Sequence, residues 1–272
     1  MSGDYILLHE ASARGLVFAV VLGLCLIAQW RWPLRGAHGP PGRRLRNFAL
    51  VLIDSLLLRF VFPMLAVQFA ITNAAASFGL LQALPLATWA SVLLTLLLLD
   101  IGIYLQHWLM HRSPMLWRLH RVHHSDTVFD VSLGVRFHPL EIVFSMAYKL
   151  LLIALIGAPP IAVLIYEVAL SAASLFTHTD VTLPLRVQQV LRMLMVTPDM
   201  HRIHHSVHRE ETDSNYGSLL VLWDRLFKTF RNAPRDGQQA MRIGLVEFDE
   251  SASRSLMGLL LQPFRKPPGP IV

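Results

Sequence analysis

The chain has 272 residues, of which 54% are hydrophobic and only 15% charged, against roughly 25% charged for an ordinary soluble domain. Its net charge is +6, but the basic residues flank apolar runs, which points to anionic headgroups and membrane topology rather than to nucleic acid. The single cysteine, Cys25, sits inside an apolar run, which excludes a disulfide framework and a cysteine-type zinc site.

In chain order, residues 1–10 carry Asp4 and Glu10 where a cleaved signal has a basic region, so a leader peptide is not expected. Residues 15–30 read as a first span, with Trp30 and Trp32 as interfacial anchors. A basic Pro/Gly-rich linker follows, with Arg31, Arg35, Arg43, Arg44 and Arg46. A second span covers about 47–71 and is interrupted by Asp54, Arg59 and Pro63. Lone charges in hydrocarbon are costly, so Asp54 and Arg59 are expected to pair or to face the bundle interior. An uncharged connector, 72–85, leads to a third span at 86–106. Two shorter apolar runs, 142–157 and 161–176, flank Ala158-Pro159-Pro160 and form a membrane hairpin that crosses fully or partly. The expected fold is all-α, a multi-pass transmembrane bundle with a cytoplasmic helical cap. The positive-inside rule puts the Arg-rich linker in the cytoplasm, and with it every clustered histidine, for either reading of the hairpin. The Ala/Leu/Arg-rich style leans to a bacterial inner membrane.

Eight of the thirteen histidines fall in three runs: His107 and His111, then His120, His123 and His124, then His201, His204 and His205. Positions i, i+3 and i+4 share a helix face, so each run aims several imidazoles toward one point. Ser113-Pro114 and Thr197-Pro198 read as helix starts placing the second and third runs on helices. His138 precedes Pro139 and is biased to an extended conformation at the start of the fourth run. His178 ends the fifth run at the same membrane face. His208 continues the third run's stripe at its far end, while His9 and His38 read as ordinary terminal and linker residues.

Imidazole is a good ligand for first-row transition metals. Zinc hydrolases use about three protein ligands and an open position, so ten imidazoles are too many for one zinc. Two irons fit better, and such a pair activates dioxygen for attack on an unactivated C–H bond. A site at the membrane face suits a lipid reached through an apolar channel. The segment 183–195, apolar at Leu183, Val187, Leu191 and Leu194 and polar at Arg186, Gln189 and Arg192, reads as an interfacial or an ordinary packed amphipathic helix. No Gly-rich dinucleotide loop is present in the sequence, so direct nicotinamide binding is not expected.

The order HxxxH, HxxHH, HxxHH resembles the fatty acid hydroxylase/sterol desaturase superfamily. The match is carried further by residues 116–125 around His120-Arg121-Val122-His123-His124, by Arg136-Phe137-His138-Pro139-Leu140-Glu141, by His205-Ser206 leading to Asn215-Tyr216-Gly217, and by Trp223-Asp224-Arg225-Leu226-Phe227. It covers about 100–230. It divides the chain into an N-terminal transmembrane region and linker (1–99), a catalytic domain that includes the membrane hairpin (100–232), and a cytoplasmic tail (233–272).

The resemblance implies a membrane-bound di-iron oxygenase that hydroxylates or desaturates a lipid. Its ligands would be His107, His111, His120, His123, His124, His201, His204 and His205, with His178 and His138 as further candidates. Ser174 and Thr182 stand where some relatives pair the middle histidine with a second one, and Lys228 stands where many have glycine. No segment resembles a fused cytochrome b5, so a separate electron donor, cytochrome b5-like or a ferredoxin with its reductase, is expected.

Polar neighbours of the ligands (Asp100, Asp126, Asp130, Glu141, Asp199 and Asn215) are candidates to fix imidazole tautomers, with Asp199 and Asn215 preferred. Two other classes stay open from the residues alone: a membrane haem protein for electron transfer, and a catalytically silent metal-binding member of the same fold.

Overall fold

A backbone removed from water must satisfy its own N–H and C=O groups, so long apolar runs fold as helices. The computed structural model describes residues 7, 9–36, 39–246 and 254–266, and His38 lies outside them. The chain is all-helical; among the described residues the extended pairings are two isolated bridges, Met195 with Leu220 and Ser206 with Ile243.

Helix α1 runs Glu10–Arg31 and α2 Arg43–Val61. The break at Pro63 separates α2 from α3, Ala66–Ala75. Helix α4 is Thr88–Arg112 and α5 Pro114–His124. A 3-10 turn, Val131–Val135, leads into α6, Pro139–Ile156, and α7, Pro160–Thr177. Four of the nearby starts, at Pro114, Pro139, Pro160 and Pro198, put proline in the first turn. There its missing N–H costs nothing and its φ suits the helix. Helix α8 is Leu185–Leu194 and α9 Pro198–His204. Short helical turns and loops complete the cap.

Five segments are long and apolar enough to cross a membrane, beginning at Glu10, Arg43, Thr88, Pro139 and Pro160, with the second continuing through the break to Ala83. The protein is an integral membrane protein. Helix α7 is the hub, packed against α1, α3, α4 and α9, while α6 packs against α2, α3 and α4. Apolar packing among α3, α4, α6 and α7 centres on Val67, Leu99, Ile153, Val163 and Tyr166, all buried. Helix α8 has no buried residue and leaves Val187, Val190 and Leu194 exposed, the pattern of a helix lying along an interface.

The Arg-rich linker lies at the histidine-bearing end. Arg43 pairs with Asp126 at 3.0 Å and with Asp130 at 2.7 Å, and the backbone N–H groups of Arg35 and Gly36 donate to Asp180. Arg136, almost fully buried, donates to the carbonyl of Val122, to Asn47 and to Ser125. These bonds tie α2 to the end of α5. The expected pairing of Asp54 with Arg59 is not formed: Asp54 is buried in the bundle, whereas Arg59 is exposed. Five residues apart on a helix of 3.6 per turn, the two side chains diverge by about 140°.

At the opposite end, the loop after α3 meets the turn after α6. Gly157 closes α6 at φ +69°, and a Cβ added to Gly79, itself at φ +114°, would lie 2.2 Å from the Gly157 nitrogen. Gly79→Ala is therefore expected to lower thermal stability in detergent by about 1–3 kcal/mol. Gly23→Ala, whose Cβ meets nothing within 4 Å, should change it little; equal melting temperatures for the two variants would contradict the close approach.

Candidate metal centre

Nine histidines converge at one end of the bundle in two groups. His107, His111, His120, His124 and His204 form the first; His123, His178, His201 and His205 form the second. Within each group one ring nitrogen per residue lies within 4.8 Å of all the others. Helix α4 supplies His107 and His111, and α5 supplies His120, His123 and His124. His178 caps α7, and α9 with its cap supplies His201, His204 and His205. The HxxHH runs do not each aim at a single point. In each run the i, i+4 pair serves one group and the histidine between them serves the other: His120 and His124 against His123, His201 and His205 against His204. Residues i+3 and i+4 differ by about 100° around the helix, wide enough for one face to border two sites.

Hydrogen bonds on the outer nitrogens set the tautomers of six of these rings. The Nδ1–H groups of His107, His178 and His204 donate to the carbonyls of Tyr216, Ser174 and Ser214, each at 2.7 Å. That of His123 donates to Arg136 O at 3.1 Å. His120 Nδ1 donates to the Glu141 carboxylate at 2.7 Å, and His111 Nδ1 meets Asp213 at 3.3 Å. Carbonyl and carboxylate oxygens only accept, so the proton sits on Nδ1 and the Nε2 lone pair points inward.

The inward nitrogens crowd together. His107 and His120 bring their Nε2 atoms to 3.1 Å, His178 and His123 to 3.2 Å, and His201 and His178 to 3.0 Å. Between His178 and His123 lone pair faces lone pair with no proton between them. The Nε2 atoms of His111 and His204 have no hydrogen-bond partner at all. Buried acceptors left this way are destabilising unless something electron-poor lies among them, so the donor set fits metal cations. Burial, reinforced by neighbouring imidazoles, holds His123, His124, His201 and His205 well below the usual histidine range. Burial lowers His178 to about 4, and burial with neighbouring His120 lowers His204 to about 3. These imidazoles are neutral, the state that ligates metals.

His138 stands apart from both groups. Its Nδ1 accepts from Leu140 N–H at the start of α6 and its Nε2 donates to Leu260 O, so it works as a helix cap and a clamp on the C-terminal segment. His208 is also outside, paired with Asp236 at 2.7 Å. Asp199 turns away from the imidazoles, accepting from the Thr197 hydroxyl and pairing with Arg192 at 3.3 Å. Asn215 touches no imidazole but bonds Met200 O and Arg231 O and N. It pins, at φ +52°, the loop whose Ser214 and Tyr216 carbonyls hold His204 and His107. Glu141 takes the direct contact, and Asp213 joins it without any signal in the sequence spacing. Asp100 accepts from Trp223, Leu220 and Tyr166, and Asp126 and Asp130 serve the arginines of α2.

Two glycine-like demands shape the site. A Cβ at Gly134 would lie 2.6 Å from Ser174 O and 3.1 Å from His178 Nδ1, so the turn can press against the end of α7 only without a side chain there. Lys228 adopts φ +60°, the left-handed conformation that suits glycine.

A cavity of about 430 Å³ runs from the histidines into the bundle, between α1, α2, α4, α6 and α7. Its lining includes His107, His120, His123, His178 and His201 at one end and Phe18, Leu58, Ile103 and Leu170 along its wall. Members of both histidine groups thus face one shared space of the size that takes a small organic ligand.

A fatty acid hydroxylase family model matches residues 92–229. The chain is 34% identical over 177 residues to an ornithine lipid hydroxylase of Rhizobium tropici, a match covering 64% of this chain and 50% of that protein. It is 33% identical over 146 residues to human alkylglycerol monooxygenase, 53% of this chain and 30% of that one. Rat cholesterol 25-hydroxylase is 26% identical over 253 residues, 85% of this chain and 82% of that protein. The chain spans half or less of the length of the first two. No solved structure matches it.

Glu141→Ala is expected to weaken retention of ferrous iron by about 10–100-fold, as loss of a partner that orients a ligand does. Asp199→Ala should leave it within about twofold of the parent, by the same reasoning. Competition with a coloured chelator measures both, and equal retention in the two variants would overturn the assignment of Glu141.

Proposed function

Because the chain belongs to the fatty acid hydroxylase family, we propose that it is a membrane-bound di-iron oxygenase that hydroxylates a lipid with dioxygen and electrons from a separate carrier. The observation that carries this reading is the pair of buried histidine groups, ring nitrogens turned toward one another, at the end of one cavity in the bundle. The five-histidine and four-histidine groups would each hold one iron, and a bound pair supplies the activation of dioxygen for insertion into a C–H bond. Hydroxylation is favoured over desaturation because the matched relatives are named hydroxylases and monooxygenases.

The chain's own residues do the rest. Tyr216, Ser214, Ser174 and Arg136 carbonyls and the Glu141 carboxylate hold the Nδ1 protons of His107, His204, His178, His123 and His120, so those five imidazoles keep one orientation. Phe137 stacks on His123 with centroids 4.6 Å apart, closing that side of the second group to water. The walls of Phe18, Leu58 and Ile103 exclude water from a hydrocarbon chain and steer it toward the histidines. A haem electron carrier fits poorly, because nitrogens about 3 Å apart leave no room for a macrocycle between them. The histidine end shares its face with the Arg-rich linker, which supports a cytoplasmic site reached by a cytochrome b5-like protein or a ferredoxin with its reductase, in a bacterial inner membrane.

His123→Ala and His204→Ala, one from each group, are each expected to abolish lipid oxygenation while leaving membrane insertion intact. Mass spectrometry of lipids from cells with and without the protein should reveal a species heavier by one oxygen atom, absent in both variants. Full product formation in either variant would remove that histidine from the ligand set, and absence of any such lipid with the parent protein would defeat the oxygenase reading.

A further inference from the structure

The cavity is not apolar throughout. At the end away from the histidines, Glu167 of α7 pairs through Oε2 with Arg14 of α1 at 3.0 Å and through Oε1 with Lys149 of α6. Arg14 also meets Glu10 at 3.3 Å. Glu167 is buried, and Arg14, Lys149 and Glu167 all line the cavity. All three lie on segments of spanning length, where ionisable side chains are expensive and mark binding or transfer sites. Helix packing alone does not require them, since well-packed apolar residues hold two helices together as well as a buried ion pair does.

The donor and acceptor inventory shows what the cluster accepts. Both oxygens of Glu167 are engaged by cations, whereas the Lys149 ammonium has three donors and gives one to Glu167. Glu10, Arg14, Glu167 and Lys149 sum to zero charge, so the spare capacity is donor capacity without net charge. That combination suits a neutral oxygen acceptor better than a free carboxylate or phosphate, and better than bare hydrocarbon.

Helix geometry sets the distance from cluster to histidines. Lys149 lies eight residues along α6 from Glu141, about 12 Å, and Glu167 lies eleven residues along α7 from His178, about 16 Å. Such a span takes roughly ten to thirteen methylenes, with C–C bonds of about 1.5 Å in staggered order.

We propose that Arg14, Glu167 and Lys149 form a substrate-binding subsite that receives the carbonyl or ether oxygen of a neutral lipid linkage and lays its hydrocarbon chain toward the histidines. The consequence for reaction position rests on the oxygenase reading, but binding at the subsite does not.

The test is retention of radiolabelled methyl hexadecanoate by the full-length protein in detergent, anaerobically and without reductant, competed by unlabelled methyl hexadecanoate or hexadecane. The ester should compete about tenfold better than the alkane, the worth of one hydrogen bond to a charged group. Lys149→Met should bring the ratio close to one and Lys149→Arg should restore it. Arg14→Met, at a half-exposed position, supplies a second reading if Lys149→Met does not fold. No ester preference in the parent, or an unchanged preference in the folded Met variants, overturns the subsite. Preference without any oxygenated lipid in cells would defeat the oxygenase reading alone, and oxygenated lipid without preference would defeat the subsite alone.

Discussion

Crowding nine imidazoles into a buried space, with ring nitrogens turned toward one another, is the constraint around which the rest of the molecule is arranged. Six of the rings are anchored through the outer nitrogen by an acceptor that cannot itself give a proton. Backbone carbonyls meet that demand best, and four of them are used, on Tyr216, Ser174, Ser214 and Arg136. The loops that present those carbonyls are rigid for identifiable reasons. Asp224 takes the N–H groups of Tyr216 and Gly217, Asn215 ties its loop to Met200 and Arg231, and buried Arg136 is bonded on three sides.

The membrane helices serve the same end from below. Helix α7 contacts α1, α3, α4 and α9, so His178 at its cap is positioned by much of the bundle. Its approach to the other three histidines of its group depends on Gly134, where any side chain would collide with Ser174 O. The transmembrane helices also leave the cavity between them open and line it with both hydrocarbon and charge. Histidine end and charged end are thus joined by one space, which makes the distance between them a property of helix length rather than of loop conformation.

Much of this was legible in the residues. Apolar run lengths announced the spans, α6 and α7 among them, and proline at helix starts located α5 and α9 to within a few residues. Histidine spacing marked eight of the nine clustered residues, and His178 was placed by its position at the end of a run. His138 looked equally suitable because its role as a cap depends on Leu260, more than a hundred residues away. Glu141 and Asp213 reach their imidazoles across chain separations of 21 and 102 residues. Asp199, close to His201 in sequence, is turned the other way, to Thr197 and Arg192.

By itself the sequence determined helices of membrane-spanning length and imidazoles at helical spacing. Those follow from local periodicity, which depends only on near neighbours in the chain. The division into two groups, the protonated nitrogen of the six anchored rings and the pairing of Glu167 with Arg14 and Lys149 were decided by the tertiary structure. Each of these depends on which atoms of distant segments meet, and only packing of the helices against one another brings them within bonding distance.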